Sequence, residues 1–261
     1  MKIIQKGKCN FMNKSYDLKE NHYKSQSCEH AGTNCMNCRL KQDSLFSHLS
    51  LNDLAILNQN RYSLSFKAGE ILCKTGIKPP GLLCLTSGKV KITRAGQNGE
   101  EQIVAFKKPS DFIAFRSVML DAQSPVSAIA LEDCTVCVID KKDLYTVVQN
   151  NSGLAFKFIR YFANESKNME TRLICLTQKH MRSRLADALL HLINTFSFKP
   201  DQKTIDVALK RTELAGLSNM STANAIRFLS AFSKEKLIKI DRRQIKVLNL
   251  KALKDISLSG W

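Results

Sequence analysis

The spacing of apolar positions divides the chain into a β-rich part and a helical part. From Arg61 to Asp140, short β-like runs (YSLSFKAGEILC, GLLCLTSGKVKITRA, EEQIVAFKK, SAIALEDCTVCVID) alternate with turn residues such as Ala68-Gly69, Thr75-Gly76, Pro79-Pro80-Gly81, Ser87-Gly88 and Pro109-Ser110. Turns recurring about every 8 to 12 positions predict an antiparallel barrel or sandwich, not βαβ units. Asn98-Gly99 is the strongest hairpin signal in that region. Just before it, Leu45, Phe46, Leu49, Leu51, Leu54 and Leu57 fit a short amphipathic helix starting near Ser50 and Asn52.

From Ser152 the period becomes helical. Leu154, Phe158, Phe162, Met169, Leu173 and Leu176 recur at spacings of one helix face. A long helix with such a stripe reads as a dimer seam, with Phe158, Phe162, Met169, Leu173 and Leu176 facing the partner, or as a helix packed within the monomer. Strict heptads from Phe158 also put Glu165 and Arg172 on this stripe, where they would hold the dimer weak enough to be switched. SRLADALLHLINTF is a second amphipathic helix, and RTELAGLSNMSTANAIRFLSAFSKEKLIKIDRRQIKVLNL reads as helix, tight turn, helix and two short β-runs.

In that last segment Leu214, Ala215 and Leu217 precede the turn residues Ser218 and Asn219, Ser221 caps the next helix, and Ala225, Phe228, Leu229 and Phe232 form its inner face. Thr222, Ala223, Asn224 and Arg227 are left on the outer face and first turn, where a recognition helix meets base edges in the major groove. Arg211, Thr212 and Ser221 are further expected DNA contacts, and Arg242 and Arg243 occupy the tip of a winged hairpin suited to the phosphate backbone. The bland alternative is two packed helices with a solvated basic face.

Charge strengthens the first reading. Forty Lys and Arg against 23 Asp and Glu give a formal +17, and residues 175–261 hold 16 basic against 7 acidic side chains. Such an excess fits a polyanionic partner, either nucleic acid or an acidic membrane surface. The lysine-rich residues 1–27 contain no apolar signal-peptide core, and no run approaches the roughly 18 apolar residues of a membrane helix, so a cytoplasmic protein without membrane partners is expected.

Nine cysteines, an odd number, in a reducing compartment are not a disulfide framework. SQSCEHAGTNCMNCRL gathers Cys28, Cys35 and Cys38, the last two as a CX2C pair that brings two sulfurs to one metal centre. An iron–sulfur cluster, a thiol/disulfide switch, zinc with His30 or His22 in support, and no cofactor all remain open. Cys73, Cys84, Cys134 and Cys175 lie in apolar runs and read as small core residues, and Cys9 belongs to the leader. The five histidines form no triad or HEXXH pattern and no phosphate-cradling loop is present, so no enzyme is expected.

The segments FKAGEILCKTG, LTSGKVKI, ALEDCTVCVID and RTELAGLSNMSTANAIRFLSAFSKEKLI resemble the CRP/FNR family of bacterial transcription regulators over roughly residues 28 to 250. The resemblance implies an α+β chain: a leader with the cysteine cluster (1–44), a cyclic-nucleotide-binding-like β-barrel or jelly roll (45–151), a dimerisation helix (152–178) and a C-terminal winged helix-turn-helix (179–261). It also implies a homodimeric regulator that binds double-stranded DNA and works with RNA polymerase. The FNR branch holds an oxygen-labile [4Fe-4S] cluster on three N-terminal cysteines and one from the barrel. NCMNC matches its CX2C, and Cys137 matches the barrel cysteine, with Cys134 turned to the other face by the pleat. The third N-terminal ligand would stand at Ser44, so Cys28 is the substitute, and the expected set is Cys28, Cys35, Cys38 and Cys137. Assembly on that set, in response to oxygen, redox state or nitric oxide, would dock the cysteine loop on the barrel and favour pairing of the long helix.

The cyclic-nucleotide branch wants a Gly-Glu pair and an Arg-Ser pair. Here PSDFIAFRSVMLDAQSPVSAIA lacks the first, has Ser124-Pro125 in place of the second and carries Arg116-Ser117 too early, so no cyclic nucleotide is expected. Activators of both branches carry a recognition-helix glutamate where this chain has Ala223, so the operator should differ from the common half-site. The alternatives are a family member without cofactor answering another small molecule, or a redox-buffering module that binds polyanions nonspecifically.

Overall fold

The computed structural model describes Cys35, Cys38, Leu40 and residues 44–96 and 101–259. Helix α1 (Leu51–Asn58) is followed by strands β1 (Tyr62–Phe66), β2 (Ile71–Cys73), β3 (Gly81–Ser87), β4 (Val90–Ala95), β5 (Glu101–Lys107) and β6 (Phe112–Ile113). A short helix α2 (Phe115–Met119), then β7 (Ser127–Ala130) and β8 (Cys134–Asp140), complete the β-rich part. These strands form two four-stranded antiparallel sheets, ordered β1-β8-β3-β6 and β2-β7-β4-β5. The Asn98-Gly99 turn lies outside the described residues; the strands on either side of it, β4 and β5, pair antiparallel, with Ala95 opposite Glu101.

The two sheets close on one interior that takes Leu64, Leu83, Leu85, Val136 and Val138 from the first and Leu72, Val90 and Ile92 from the second. Because strand side chains alternate, the neighbours Leu82, Cys84, Cys137 and Ile139 point to the outer face of the first sheet. Gly88 makes the β3–β4 turn at φ 85°, where a Cβ would meet Cys134 Sγ at 2.5 Å; glycine alone permits both the dihedral and the approach.

The outer face of the first sheet is roofed by helices. Phe46, Leu57 of α1, Leu144 and Val147 of α3 (Lys141–Asn150), and Leu154 and Phe158 of α4 (Ser152–Gln178) form a second core over it. Asn151 caps α4 by accepting from Leu154 N at 2.9 Å, and its amide donates to Asp53 Oδ2 of α1 at 2.9 Å.

The long helix spans 27 residues, about 40 Å at the α-helical rise. It corrects the expected seam. Phe158 is 3% exposed and stacks on Phe115 at 4.7 Å, and Phe162 stacks on the other side of Phe115 at 4.7 Å, so both face the chain's own barrel. Glu165 pairs with Lys107 at 3.6 Å, and Arg172 donates to the carbonyls of Ile103, Val104 and Leu217 at 2.7, 2.9 and 3.3 Å; neither lies on an open seam. The barrel thus occupies the part of the expected stripe that carries Phe158 and Phe162. Met169 and Leu173 are 53% and 63% exposed, with Phe156, Ile159 and Ile174 also open, while Leu176 is half-buried.

The C-terminal part comprises α5 (Met181–Phe196), α6 (Arg211–Leu217), α7 (Thr222–Lys234), β9 (Ile238–Asp241), β10 (Gln244–Val247) and α8 (Leu250–Leu258). Leu185, Leu189, Leu214, Phe232 and Leu253 form its core, which also takes in Ile103 and Phe106 of β5. Lys91 of β4 reaches Glu213 of α6 at 2.8 Å, so this part is docked on the β4–β5 hairpin. No helix among the described residues is long and apolar enough to cross a membrane.

Candidate functional site

Cys35, Cys38, Cys84 and Cys137 line a single cavity on the outer face of the first sheet, together with Ser44 and Phe46. The elements around it explain the convergence. Asn58, the last residue of α1, accepts from Cys35 N at 2.9 Å and fixes the cysteine segment to the helix roof. Cys137 of β8 lies directly opposite Cys84 of β3, and Cys84 in turn faces Phe112 of β6, so one row of the sheet forms the cavity floor. Cys134, three residues from Cys137, is turned into the barrel interior, where Cys73 also packs.

The cavity is apolar, and Cys35, Cys84 and Cys137 are correspondingly hard to ionise. Burial, reinforced by Cys137, pushes the Cys35 thiol up to about 11, and burial drives Cys84 well above the ordinary thiol range. Burial also raises Cys137, against the Arg61 guanidinium, whose Nη1 donates to Cys137 Sγ at 3.0 Å. Burial is the largest single influence on Arg61 and works against its charge, but the hydrogen bond to Cys137 together with the neighbouring Cys137, Cys35 and Cys38 holds the guanidinium above its ordinary value. Protonated thiols are poor nucleophiles, whereas a metal centre takes them as thiolates and displaces the protons.

Among the described residues no three His, Cys, Asp or Glu side chains are gathered closely enough to bind one metal ion. Four thiols set around a cavity do fit, in kind and number, a [4Fe-4S] cluster, whose four ligands each bind a different iron. Cys28, His22 and His30 lie outside the described residues. Sequence reasoning placed Cys84 in the core and missed its cavity face, and it did not single out Arg61 or Asn58. The run GLLCLTSG is apolar on both faces, so alternation carried no signal for Cys84.

In the C-terminal part, Ser221 accepts from Asn224 N at 3.2 Å and starts α7. Ala223 and Arg227 are exposed, Thr222 and Asn224 half-exposed, and Ala225, Leu229 and Phe232 buried. The Arg227 guanidinium lies 4.9 Å from the centre of the Phe228 ring, and the Asn224 amide donates to Met181 Sδ at 3.5 Å. Thr212 is exposed, while Arg211 donates to Arg242 O at 2.8 Å and so ties α6 to the wing. Arg242 and Arg243 are exposed at the β9–β10 turn, with Arg242 at φ 49°, a region where glycine is usual. Arg184, which the sequence did not mark, donates to Asn219 O at 2.9 Å and holds the α6–α7 turn.

A second cavity of about 180 Å³ lies between the barrel and α4. Arg94, Lys107, Arg116, Ser124, Tyr161 and Glu165 are on its wall. Ser124 is buried, and its hydroxyl is taken up by Val126 O at 2.7 Å.

The chain is similar to known proteins in sequence and in fold. Residues 63–151 match the family described as a cyclic nucleotide-binding domain, and residues 183–256 match the Crp-like helix-turn-helix domain. The chain is 26% identical over 231 residues to the fumarate and nitrate reduction regulatory protein of Vibrio cholerae, covering 85% of this chain and 90% of that protein. It is 25% identical over 225 residues to the transcriptional activator protein Anr of Pseudomonas protegens, covering 84% and 91%. In fold it is similar to FixK2 from Bradyrhizobium japonicum, with a TM-score of 0.69 at 18% identity over 77% of this chain and 99% of that one. The CRP/FNR family transcriptional regulator TTHA1359 from Thermus thermophilus is a further likeness, with a TM-score of 0.58 at 20% identity over 76% and 100%.

Proposed function

Because the chain belongs to the CRP/FNR family of transcription regulators, whose members bind DNA and are not enzymes, we propose that it is a cytoplasmic, homodimeric, sequence-specific regulator sensing oxygen, redox state or nitric oxide through its cysteines. The observation that carries the sensing role is the convergence of Cys35, Cys38 and Cys137 on one cavity. A [4Fe-4S] cluster bound there supplies a centre that oxygen and nitric oxide can dismantle. The protein's own part is to hold three thiols in an apolar setting, with Asn58 anchoring Cys35 and Arg61 beside Cys137.

The signal path follows the packing. Phe46, on the cysteine cavity, meets Phe158 of α4 at 6.4 Å between ring centres, so movement of the cysteine segment reaches the helix. Arg172 links the same helix to β5 and to Leu217 of the reader. A second protomer would pair along the exposed Met169 and Leu173, extended by Phe156, Ile159 and Ile174. Pairing sets two recognition helices about 34 Å apart, one duplex turn. Thr222, Ala223, Asn224 and Arg227 then read bases, Ser221 caps their helix, and Thr212, Arg242 and Arg243 contact the backbone, with RNA polymerase as the downstream partner. With Ala223 in place of an acidic reader, the operator departs from the common family half-site. No cyclic nucleotide is part of this reading, because the Gly-Glu pair of that branch is absent and Ser124-Pro125 stands where its Arg-Ser pair would be.

The test is anaerobic purification and reconstitution of the full chain, followed by iron and acid-labile sulfide assays and a gel shift with competitor DNA. Bound iron and sulfide with competitor-resistant DNA binding is the expected result. Colourless protein without iron overturns the cluster, and binding erased by random competitor overturns the sequence-specific reader. A second reading rests on the 180 Å³ cavity, whose Arg94, Lys107 and Arg116 suit an anionic small molecule as effector in a family member without cofactor.

A further inference from the structure

We infer that Cys84 is the fourth ligand of the cysteine cavity, so that Cys35, Cys38, Cys84 and Cys137, without Cys28, form the complete thiolate set for an iron–sulfur cluster. The inference rests on the cluster reading above and concerns which residue fills the place left by Ser44.

The sheet register is the first support. Cys84 and Cys137 are direct cross-strand partners on β3 and β8, and such partners carry their side chains on one face with Cβ atoms about 5 Å apart. Leu83 and Leu85 point into the barrel, so the pleat commits Cys84 to the outer face. There it lines the same cavity as Cys35, Cys38 and Ser44, the residue standing where the family's third N-terminal thiolate is expected. The Ser44 hydroxyl instead accepts from Phe46 N at 3.2 Å.

The contrast with the other strand cysteines is the second support. Cys73 and Cys134 lie in the dry interior between the sheets, and Cys134 Sγ donates to Glu132 O at 3.0 Å. Cys84 alone among the strand cysteines shares a cavity with the CX2C pair and Cys137. Leu82, one outward position earlier on the same strand, shows that this face accepts an ordinary aliphatic side chain. Charge is the third. Four thiolates around a [4Fe-4S] core of charge +2 leave a net negative site, and a buried negative site needs a cation. Arg61 supplies one at 3.0 Å from Cys137 Sγ.

The experiment loads the full chain and its variants C28A, C84A and C84S with ferric and ferrous iron in equal amounts and with sulfide under anaerobic conditions, the mixture that balances a core of charge +2. Iron and sulfide per chain are measured, Mössbauer spectra are recorded, and thermal melts of the unloaded proteins check folding. Wild type and C28A are expected to hold about four irons per chain, and C84A to lose most of them. C84S keeps the side-chain volume, and is expected either to lose iron or to change the spectrum of one iron in four as oxygen replaces sulfur. C84A or folded C84S loading with wild-type content and spectrum overturns the assignment alone, as does loss of iron in C28A with retention in C84A. Wild-type protein that takes up no iron overturns the cluster reading itself, and the assignment with it.

Discussion

The helix-turn-helix and the cysteine cavity of this protein are built in opposite ways. Helix α7 carries Thr222, Ala223, Asn224 and Arg227 on consecutive turns of one capped helix. The cavity collects Cys35, Cys38, Cys84 and Cys137 from the segment before α1 and two strands. A contiguous site is as rigid as its helix; a convergent site depends on every contact that holds its pieces together. That difference suits a regulator, since the part meant to change is the one whose geometry rests on tertiary packing.

The difference can be broken most strongly at the aromatic roof. Phe158→Ala should cost about 3–5 kcal/mol of stability in denaturant titration, because it empties a buried site that Phe115 stacks on and Phe46 abuts. A loss below about 1 kcal/mol would mean α4 is not bolted to the barrel. Arg227→Ala should cost about 1–3 kcal/mol of preference for operator over random DNA while leaving iron content untouched; unchanged preference removes Arg227 as a base reader. Leu173→Asp should weaken self-association about tenfold, roughly 1.4 kcal/mol, read by sedimentation, because it charges an exposed apolar position of α4. Phe162→Leu should not act through the same seam. Arg242→Ala should weaken all DNA sequences alike and lower the salt-dependence slope by about one.

The smallest effect concerns the joint between the two parts. His191 of α5 lies beside Phe106 of β5, and burial, then the Arg172 charge, pull its pKa down to about 4. The unfolded chain takes up that proton near pH 6.5, so between about 6.5 and 4 it binds more protons than the folded one. Stability should therefore fall as pH drops through that window, and only modestly, because His191 is exposed to solvent, which screens the effect. His191→Gln should flatten the slope in melts recorded from pH 7 to 5, and an unchanged slope would assign the dependence to other groups.

Much of this was legible without coordinates. The turn rhythm marked the sheets, the capped helix α7 carried its outer face in its own period, and NCMNC marked two cysteines that line one cavity. Helices α3 and α8 went unread, although Leu144 and Val147, and Leu250 and Leu253, have the spacing of a helix face. Phe158 and Phe162 of the α4 stripe face the barrel and not a partner, because an apolar stripe tells that a face is covered and not by what.

By itself the sequence determined the properties that short-range chemistry sets: where strands turn, where helices begin, which face of α7 is turned inward, and that Cys134 and Cys137 part company across a pleat. Only the tertiary structure decided which distant groups meet. Cys84 and Cys137 are 53 residues apart and become neighbours through the β3–β8 register. Lys91 finds Glu213 across 122 residues. Local periodicity constrains a side chain's direction relative to its own backbone, while register and docking follow from the burial of whole faces, a property of the folded chain as a unit.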